Sequence, residues 1–286
     1  EPRGLTRTAR QFVATFADVI AMRLQRWDFV PDGDLIATHS SQLLPVRRYS
    51  MPVMLKVPCD LEEQRGGRVM SWWRGIGAAR VLAKEDDGAL LLERAEGPRA
   101  LSKLARSGFD DEATRTLCAV IATLHRHDPE HPPSDLVPLD VWFKDLLSTA
   151  KRDGGIFAQS ASSACALLAA PQDIVVLHGD LHHDNVLDFS ARGWLSIDPK
   201  GLIGERGFDY ANLFCNPEDD PGVAEPHRFL RRLDIVTETS GLDRSRLLMW
   251  ILAWVGLSAA WRLSDGITPH IGLRVAELAS RELERS

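Results

Sequence analysis

Residues His178-Gly179-Asp180-Leu181-His182-His183-Asp184-Asn185 have the form H-x-D-x-x-x-x-N, and a second acid follows in Ser196-Ile197-Asp198-Pro199. This order of residue types suits transfer of a phosphoryl group, a reaction that needs positioning and charge compensation more than covalent chemistry. A carboxylate beside an acceptor hydroxyl orients it and takes its proton, the catalytic role expected of Asp180. Magnesium takes hard oxygen ligands and keeps several waters, so an amide oxygen and a carboxylate can anchor it, here Asn185 and Asp198. The five-residue step from Asp180 to Asn185 fits a loop that places both side chains in one cleft. Two other readings compete. His178 and His182 have the spacing of a helical zinc site, but Gly179 and the flanking β-type runs argue against a helix, and no Glu stands where a metalloprotease needs its base. Asp180, Asp184 and Asp198 also suit plain turns and caps.

Upstream residues supply partners for such a reaction. Lys56 sits in the apolar run Val53-Met54-Leu55-Lys56-Val57, from which it would reach nucleotide phosphates, held by Glu62 or Glu63; Glu63 is preferred because it opens a helical stretch. Thr38-His39-Ser40-Ser41 precedes Lys56 at the distance of a phosphate-covering loop. It has no glycine, so Ser40 and Ser41 would act through hydroxyls and backbone N–H groups. Glu93-Arg94-Ala95 follows an apolar strand, where a hinge would offer the backbone of Glu93 and Ala95 to adenine.

The elements that must position these groups change character along the chain. A helix is expected over 5–26, with Phe12, Val13, Phe16, Val19, Ile20 and Leu24 near one face. A turn at 38–41, strands at 46–49 and 53–57, a helix at 61–74 and strands at 80–82 and 89–92 follow. After Glu93 the pattern becomes helical: Asp110 or Asp111 caps a helix to His127, and further helices are expected at 139–151, 159–169, 207–215, 225–240, 243–263 and 270–284. A strand at 174–177 and a hairpin of 186–189 with 194–197 interrupt them. The expected organisation is a small strand-rich lobe at 1–93 and a larger helical lobe at 94–286, an α+β arrangement with a cleft as the usual ligand site.

Composition narrows the partners. The 286 residues are 44% apolar and 26% charged, a globular balance, with a formal net charge of -6. An acidic chain does not neutralise nucleic-acid phosphates over a broad face, so no nucleic acid is expected; a nucleotide–magnesium complex and a cationic acceptor both suit it. Cys59, Cys118, Cys165 and Cys215 are far apart and form no C-x-x-C, which favours free thiols in a reducing compartment, with Cys118 and Cys165 buried in apolar helical stretches. No run of 18 apolar residues and no signal-peptide core is seen, so a cytoplasmic protein without a membrane partner is expected, with a monomer favoured.

The segment from His178 to Asn185, and the stretch Ile197-Asp198-Pro199-Lys200-Gly201-Leu202-Ile203-Gly204-Glu205 running on to Phe214, resemble the aminoglycoside phosphotransferases. The likeness is to the streptomycin 6-phosphotransferase and hydroxyurea kinase branch, shared by Leu257-Ser258-Ala259-Ala260-Trp261. That resemblance implies a protein kinase-like two-lobe fold. It also implies ATP- and magnesium-dependent transfer to a hydroxyl, with Asp180 as base, Asn185 and Asp198 on the metal, Lys56 on the nucleotide and Asp209 bracing the catalytic loop. Pro199 stands where protein kinases have Phe, a departure this branch shares. A streptomycin-like acceptor carries guanidinium groups and calls for carboxylates; Glu205, Asp265 and Glu218 are available, with Trp261 as a wall. A metabolic kinase for an amino sugar, choline or homoserine, or a nucleotide-binding pseudokinase, would share the same fold.

Overall fold

In the computed structural model, which describes residues 20–126 and 131–285, the strands of the first third form a six-stranded sheet. Leu44 and Val46 pair with Leu55 and Val53 across the ladder, and all four are buried, as period-two alternation with one covered face requires. The strands are β1 (Val30–Pro31), β2 (Ile36–Ala37), β3 (Ser41–Arg48), β4 (Met51–Pro58), β5 (Val81–Lys84) and β6 (Leu90–Glu93). Their order is β1-β3-β4-β6-β5, with β2 beside β3. Ile20, Phe29 and Leu91 complete the small core on the covered face. Residues 20–27 are helical, in line with the expected first helix, whose earlier part lies outside the described residues. Ser41 opens β3 rather than closing a turn: its N–H donates to Thr38 Oγ1 at 2.9 Å, so the turn is complete one residue earlier.

By contact the chain divides into two units. One holds the sheet and comprises the described residues up to Cys59 together with Leu82–Arg94; the other comprises Asp60–Val81 and the described residues from Ala95 onward. Helix α1 (Leu61–Trp73) thus groups with the helical unit. It begins where the Asp60 carboxylate accepts from Glu63 N and ends at Arg74 in the left-handed region, φ 53°. Gly66 lies inside this helix, where glycine costs about 1 kcal/mol relative to Ala. Its reason is contact: a Cβ there would sit 2.0 Å from the Pro199 carbonyl oxygen.

The rest of this unit is helical around two small sheets. The helices are α2 (Leu101–Arg106), α3 (Asp110–His125), α4 (Leu139–Trp142), α5 (Lys144–Asp153), α6 (Gly155–Ala169), α7 (Gly207–Ala211), α8 (Pro226–Ser240), α9 (Arg244–Ser264) and α10 (His270–Leu283). Among the described residues α9 is long and apolar enough to cross a membrane. It is apolar nearly all round because it is the core helix, packed against α6, α7 and α10. The helix expected at 139–151 is broken at Phe143, whose fully buried ring meets Phe208 edge-to-face, while Phe208 meets Trp250 the same way. Helix α2 was not expected, and α6 starts four residues earlier than its pattern, at Gly155. Cys118 is buried as expected, but Cys165 is exposed: α6 buries Phe157, Ser160, Ala161, Ala164 and Leu167, and Cys165 falls off that face.

Strand β7 (Val137–Pro138) runs parallel to β11 (Leu202–Glu205), which pairs antiparallel with β8 (Ile174–Leu177). The hairpin of β9 (Val186–Asp188) and β10 (Trp194–Ser196) forms as its pattern predicts. The segment after α1 is tied to it: Ser196 N donates to Gly77 O and Ala79 N donates to Ser196 O, both at 2.9 Å. The loop from β8 to β9 carries Asp180 and Asn185, and the turn from β10 to β11 carries Asp198.

Candidate active site

Asp209, in the first turn of α7, holds the loop that carries Asp180. It is buried, and its carboxylate accepts from His178 N at 2.9 Å, Gly179 N at 2.8 Å and His125 Nε2 at 2.8 Å. Burial alone would raise this carboxyl, but the hydrogen bonds from His125 and from Gly179 N help to outweigh it and hold the carboxyl below its ordinary value. Gly179 has φ 85°, and a Cβ there would strike Leu202 Cδ1 at 2.8 Å, so only glycine fits the turn. His178 is enclosed: its ring stacks on Trp73 at 6.1 Å, and Nε2 lies 2.8 Å from Ile197 O. Burial lowers its pKa despite the nearby Asp209, Asp180 and Asp198, so the ring is neutral and Nε2 donates to that carbonyl. Nδ1 then accepts from Asp180 N. Both ring nitrogens are thereby used inside the loop, and His178 and His182 do not share a metal.

Asp180 is gripped by two amides. Asn212 Nδ2 donates to its Oδ1 at 2.9 Å, while Asn185 Nδ2 approaches Oδ2 at 3.4 Å and donates to the Asp180 carbonyl at 2.8 Å. Asn185 O accepts from Ile197 N at 2.9 Å, which joins the loop to the residue before Asp198. Asp198 itself has φ 64°, a left-handed conformation uncommon outside glycine and concentrated at functional sites. The structure therefore assembles Asp180, Asn185 and the turn of Asp198 through a short chain of hydrogen bonds. The donor set is one amide oxygen and carboxylates. Because Asn185 uses its amide nitrogen on Asp180, its amide oxygen is the atom that could ligate a hard cation such as magnesium.

Lys200, two residues after Asp198, carries no role in the sequence-based expectations. Its N–H donates to His178 O at 2.7 Å, and Nζ lies 3.4 Å from Glu62 Oε1 and 3.9 Å from Glu63 Oε1 on α1. Burial would lower its pKa, but Asp180, Asp198, Glu62 and Glu63 together raise it, so the ammonium stays charged.

A cavity of about 1050 Å³ opens beside Asp180 within this unit. Its acids are Glu62, Asp145, Asp180, Glu218 and Asp265, and its cations are Arg65, Lys144, Lys200 and Arg262. Trp142 and Trp261 meet edge-to-face at 5.4 Å on its wall, and Trp261 Nε1 donates to Asp145 Oδ2 at 2.9 Å. Glu218 is paired with Arg262. Of the acceptor residues expected from sequence, Trp261, Asp265 and Glu218 line this cavity. Glu205 does not: β11 buries it, and its carboxylate takes Arg246, Trp250 Nε1 at 2.8 Å and Gln172 N at 3.0 Å. Its surroundings are those of a brace.

The residues expected to serve a nucleotide are placed as follows. Lys56 is buried on β4 opposite Leu43 and Leu90. Ser41 is buried at the start of β3, and Ser40 O accepts from Cys59 N at 2.8 Å. Glu93 ends β6, and Ala95 is the first residue of the helical unit after it. Glu63 is buried on α1.

Comparison with known proteins bears on this site. The model of a family described as aminoglycoside/hydroxyurea antibiotic resistance kinase matches residues 26–266. A streptomycin 3''-kinase of Klebsiella pneumoniae is 53% identical over 269 residues, covering 91% of this chain and 100% of the relative. A streptomycin 6-kinase of Streptomyces griseus is 31% identical over 276 residues, covering 91% and 87%. Among solved structures, a ternary complex of an aminoglycoside phosphotransferase APH(4)-Ia mutant with ADP and hygromycin B gives a TM-score of 0.66 at 12% identity, covering 91% of this chain and 97% of that one. A choline/ethanolamine kinase family protein from Mesorhizobium loti gives 0.64 at 13% identity, covering 88% and 90%. At these identities the structures establish the fold alone, that of the protein kinase-like enzymes.

Proposed function

Because the chain belongs to the aminoglycoside/hydroxyurea antibiotic resistance kinase family and is a phosphotransferase that acts on hydroxyl groups, we propose that its substrates are ATP, as the magnesium complex, and streptomycin, whose 3''-hydroxyl receives the phosphate and whose inactivation confers resistance. The observation that carries this reading is Asp180, fixed by Asn212 and Asn185, at the edge of a cavity walled by Trp142, Trp261, Asp145 and Asp265. The greater identity to the 3''-kinase than to the 6-kinase favours the 3''-hydroxyl.

In this reading Asp180 orients the acceptor hydroxyl and accepts its proton as the oxygen bonds to the γ-phosphorus. The bond between that phosphorus and the β,γ-bridging oxygen breaks, and ADP leaves with the electron pair. Asn185 and Asp198 would hold the magnesium ion, which when bound would offset phosphate charge. Lys56, Glu63, Ser40, Ser41 and the backbone of Glu93 and Ala95 serve the nucleotide. Asp145 and Asp265 meet the cationic groups of the acceptor, and Trp261 orients Asp145 through its indole N–H. Glu205 is left out of this set because its carboxylate is used by Arg246 and Trp250.

The test is ADP release by the purified protein with streptomycin, hygromycin B and choline in turn, followed by phosphorus and proton NMR of the product. Turnover with streptomycin and phosphate on the 3''-hydroxyl is expected. Phosphate on the 6-hydroxyl overturns the regiochemistry. Turnover with choline and none with streptomycin overturns the resistance reading in favour of a metabolic kinase.

A further inference from the structure

Lys200 has a place at the site that the roles above do not use. Its backbone is fixed on the catalytic loop by the bond from Lys200 N to His178 O at 2.7 Å. Its Cβ lies 3.1 Å from where a Cβ on Gly179 would stand, so the side chain starts beside Asp180 and lines the same cavity. The far end is held differently. Nζ is 3.4 Å from Glu62 Oε1 and 3.9 Å from Glu63 Oε1, both longer than the roughly 2.7–3.2 Å of an N–H···O bond. A flexible four-carbon stem with a compact charge is therefore anchored at its root and loosely tethered at its tip. Arg65 is the other cation near this end, but its stem is laid on the backbone, its Cγ only 2.5 Å from the point a Cβ on Gly201 would take.

We propose that Lys200 is a further catalytic residue of the phosphotransferase, whose ammonium leaves Glu62 and Glu63 for the non-bridging oxygens of the phosphoryl group in transit. This rests on the phosphoryl-transfer reading above. The phosphorus–oxygen bond to ADP breaks, the bond to the acceptor oxygen forms, the acceptor proton goes to Asp180, and Lys200 keeps its own protons throughout. The physical reason is charge. Glu62, Glu63, Asp180 and Asp198 all lie close enough to act on the Lys200 charge, and the transferring group spreads negative charge over its three outer oxygens. A cation positioned for that moment contributes more in the transition state than in the ground state.

The experiment compares Lys200→Met, Lys200→Gln and Lys200→Arg with the unaltered protein in two measurements. Steady-state kinetics with ATP and streptomycin should show kcat of the Met and Gln variants down by about a hundredfold, with both KM values within about threefold, and part of the loss recovered in the Arg variant. Calorimetric titration with magnesium and ADP, with and without aluminium fluoride, reads the same role without an acceptor. The Met variant should lose about tenfold or more in affinity for the ADP–fluoride complex while its affinity for ADP is retained. A Met-variant kcat within threefold of the unaltered protein, or an equal loss for ADP with and without fluoride, overturns the proposal. Failure of both neutral variants to fold assigns Lys200 to holding α1 and overturns it too. Absence of streptomycin turnover in the unaltered protein, with the fluoride-specific loss intact, overturns the acceptor assignment and upholds Lys200.

Discussion

Asn212 donates an amide hydrogen to Asp180 Oδ1 at 2.9 Å, and its own Oδ1 accepts from Asn216 Nδ2 at 2.7 Å, so the proposed base is aimed by a relay of two amides, Asn212 buried and Asn216 half-buried. Replacing Asp180 by Asn should lower kcat by about 10³-fold, within the usual range for loss of a general base. Asn212→Ala should cost about ten- to a hundredfold in kcat with KM for ATP unchanged, because the carboxylate survives but loses its fixed direction. Steady-state kinetics on both variants decide this; an Asn212→Ala protein with full kcat refutes the aiming role.

Asp110 joins α3 to α8 through Arg232, whose Nε donates to Oδ2 at 2.8 Å, and Arg228, whose Nη2 donates to Oδ1 at 2.8 Å. Burial works to raise this carboxyl, yet the two guanidinium groups bring it down to about 2 from 3.8. A lowered folded value means that the stabilisation is fully present above pH 3.8 and is lost as the pH falls through about 2. Asp110→Asn should therefore reduce the unfolding free energy by about 2 kcal/mol at pH 7, and the gap should close toward pH 2. Urea titrations at pH 7, 4 and 2 test the sign; a gap that does not narrow is contrary to it.

Gly66→Ala should displace α1 from Pro199, since the added methyl would lie 2.0 Å from the Pro199 carbonyl oxygen. Helix propensity alone would make the change stabilising by about 1 kcal/mol. We expect the opposite, a lower melting temperature and at least about tenfold lower kcat, because Pro199 adjoins Asp198. A more stable, fully active variant would mean the helix slides freely over that carbonyl.

Glu205→Ala should cost about 3–5 kcal/mol of stability by stranding Arg246 and the indole of Trp250, while leaving the acceptor KM of the remaining folded protein unchanged. Chemical denaturation and acceptor titration separate the two effects. A raised acceptor KM at normal stability would return Glu205 to the substrate site.

The residues that do local work were legible in the sequence because their relationships are short. Asp180 to Asn185 is one loop, and β9 and β10 form one hairpin, so spacing and turn chemistry specify them. The reach of His125 to Asp209 spans 84 positions, and no local pattern announces it. Asn212 is intermediate: it stands three residues after Asp209, one helical turn on, a spacing that was available but silent without the fold. Glu205 misled because an acid shortly after the catalytic segment reads as a carboxylate for a cationic acceptor, whereas Arg246, 41 residues later, takes it into the interior. The break at Phe143 was hidden for a related reason, since only the packed ring cluster makes a helix end there.

The alternation of signs around the cavity has a consequence for how ionic strength should act. Glu218 is paired with Arg262, and Arg65, Lys144 and Lys200 line the wall with Glu62, Asp145, Asp180 and Asp265, so its formal charges nearly balance despite the chain's charge of -6. Long-range steering, which salt screens within about 10 Å at 0.1 M, thus has little to draw on. A polycationic antibiotic would be captured by matching at contact distance, and its capture should persist across a wide span of cellular salt.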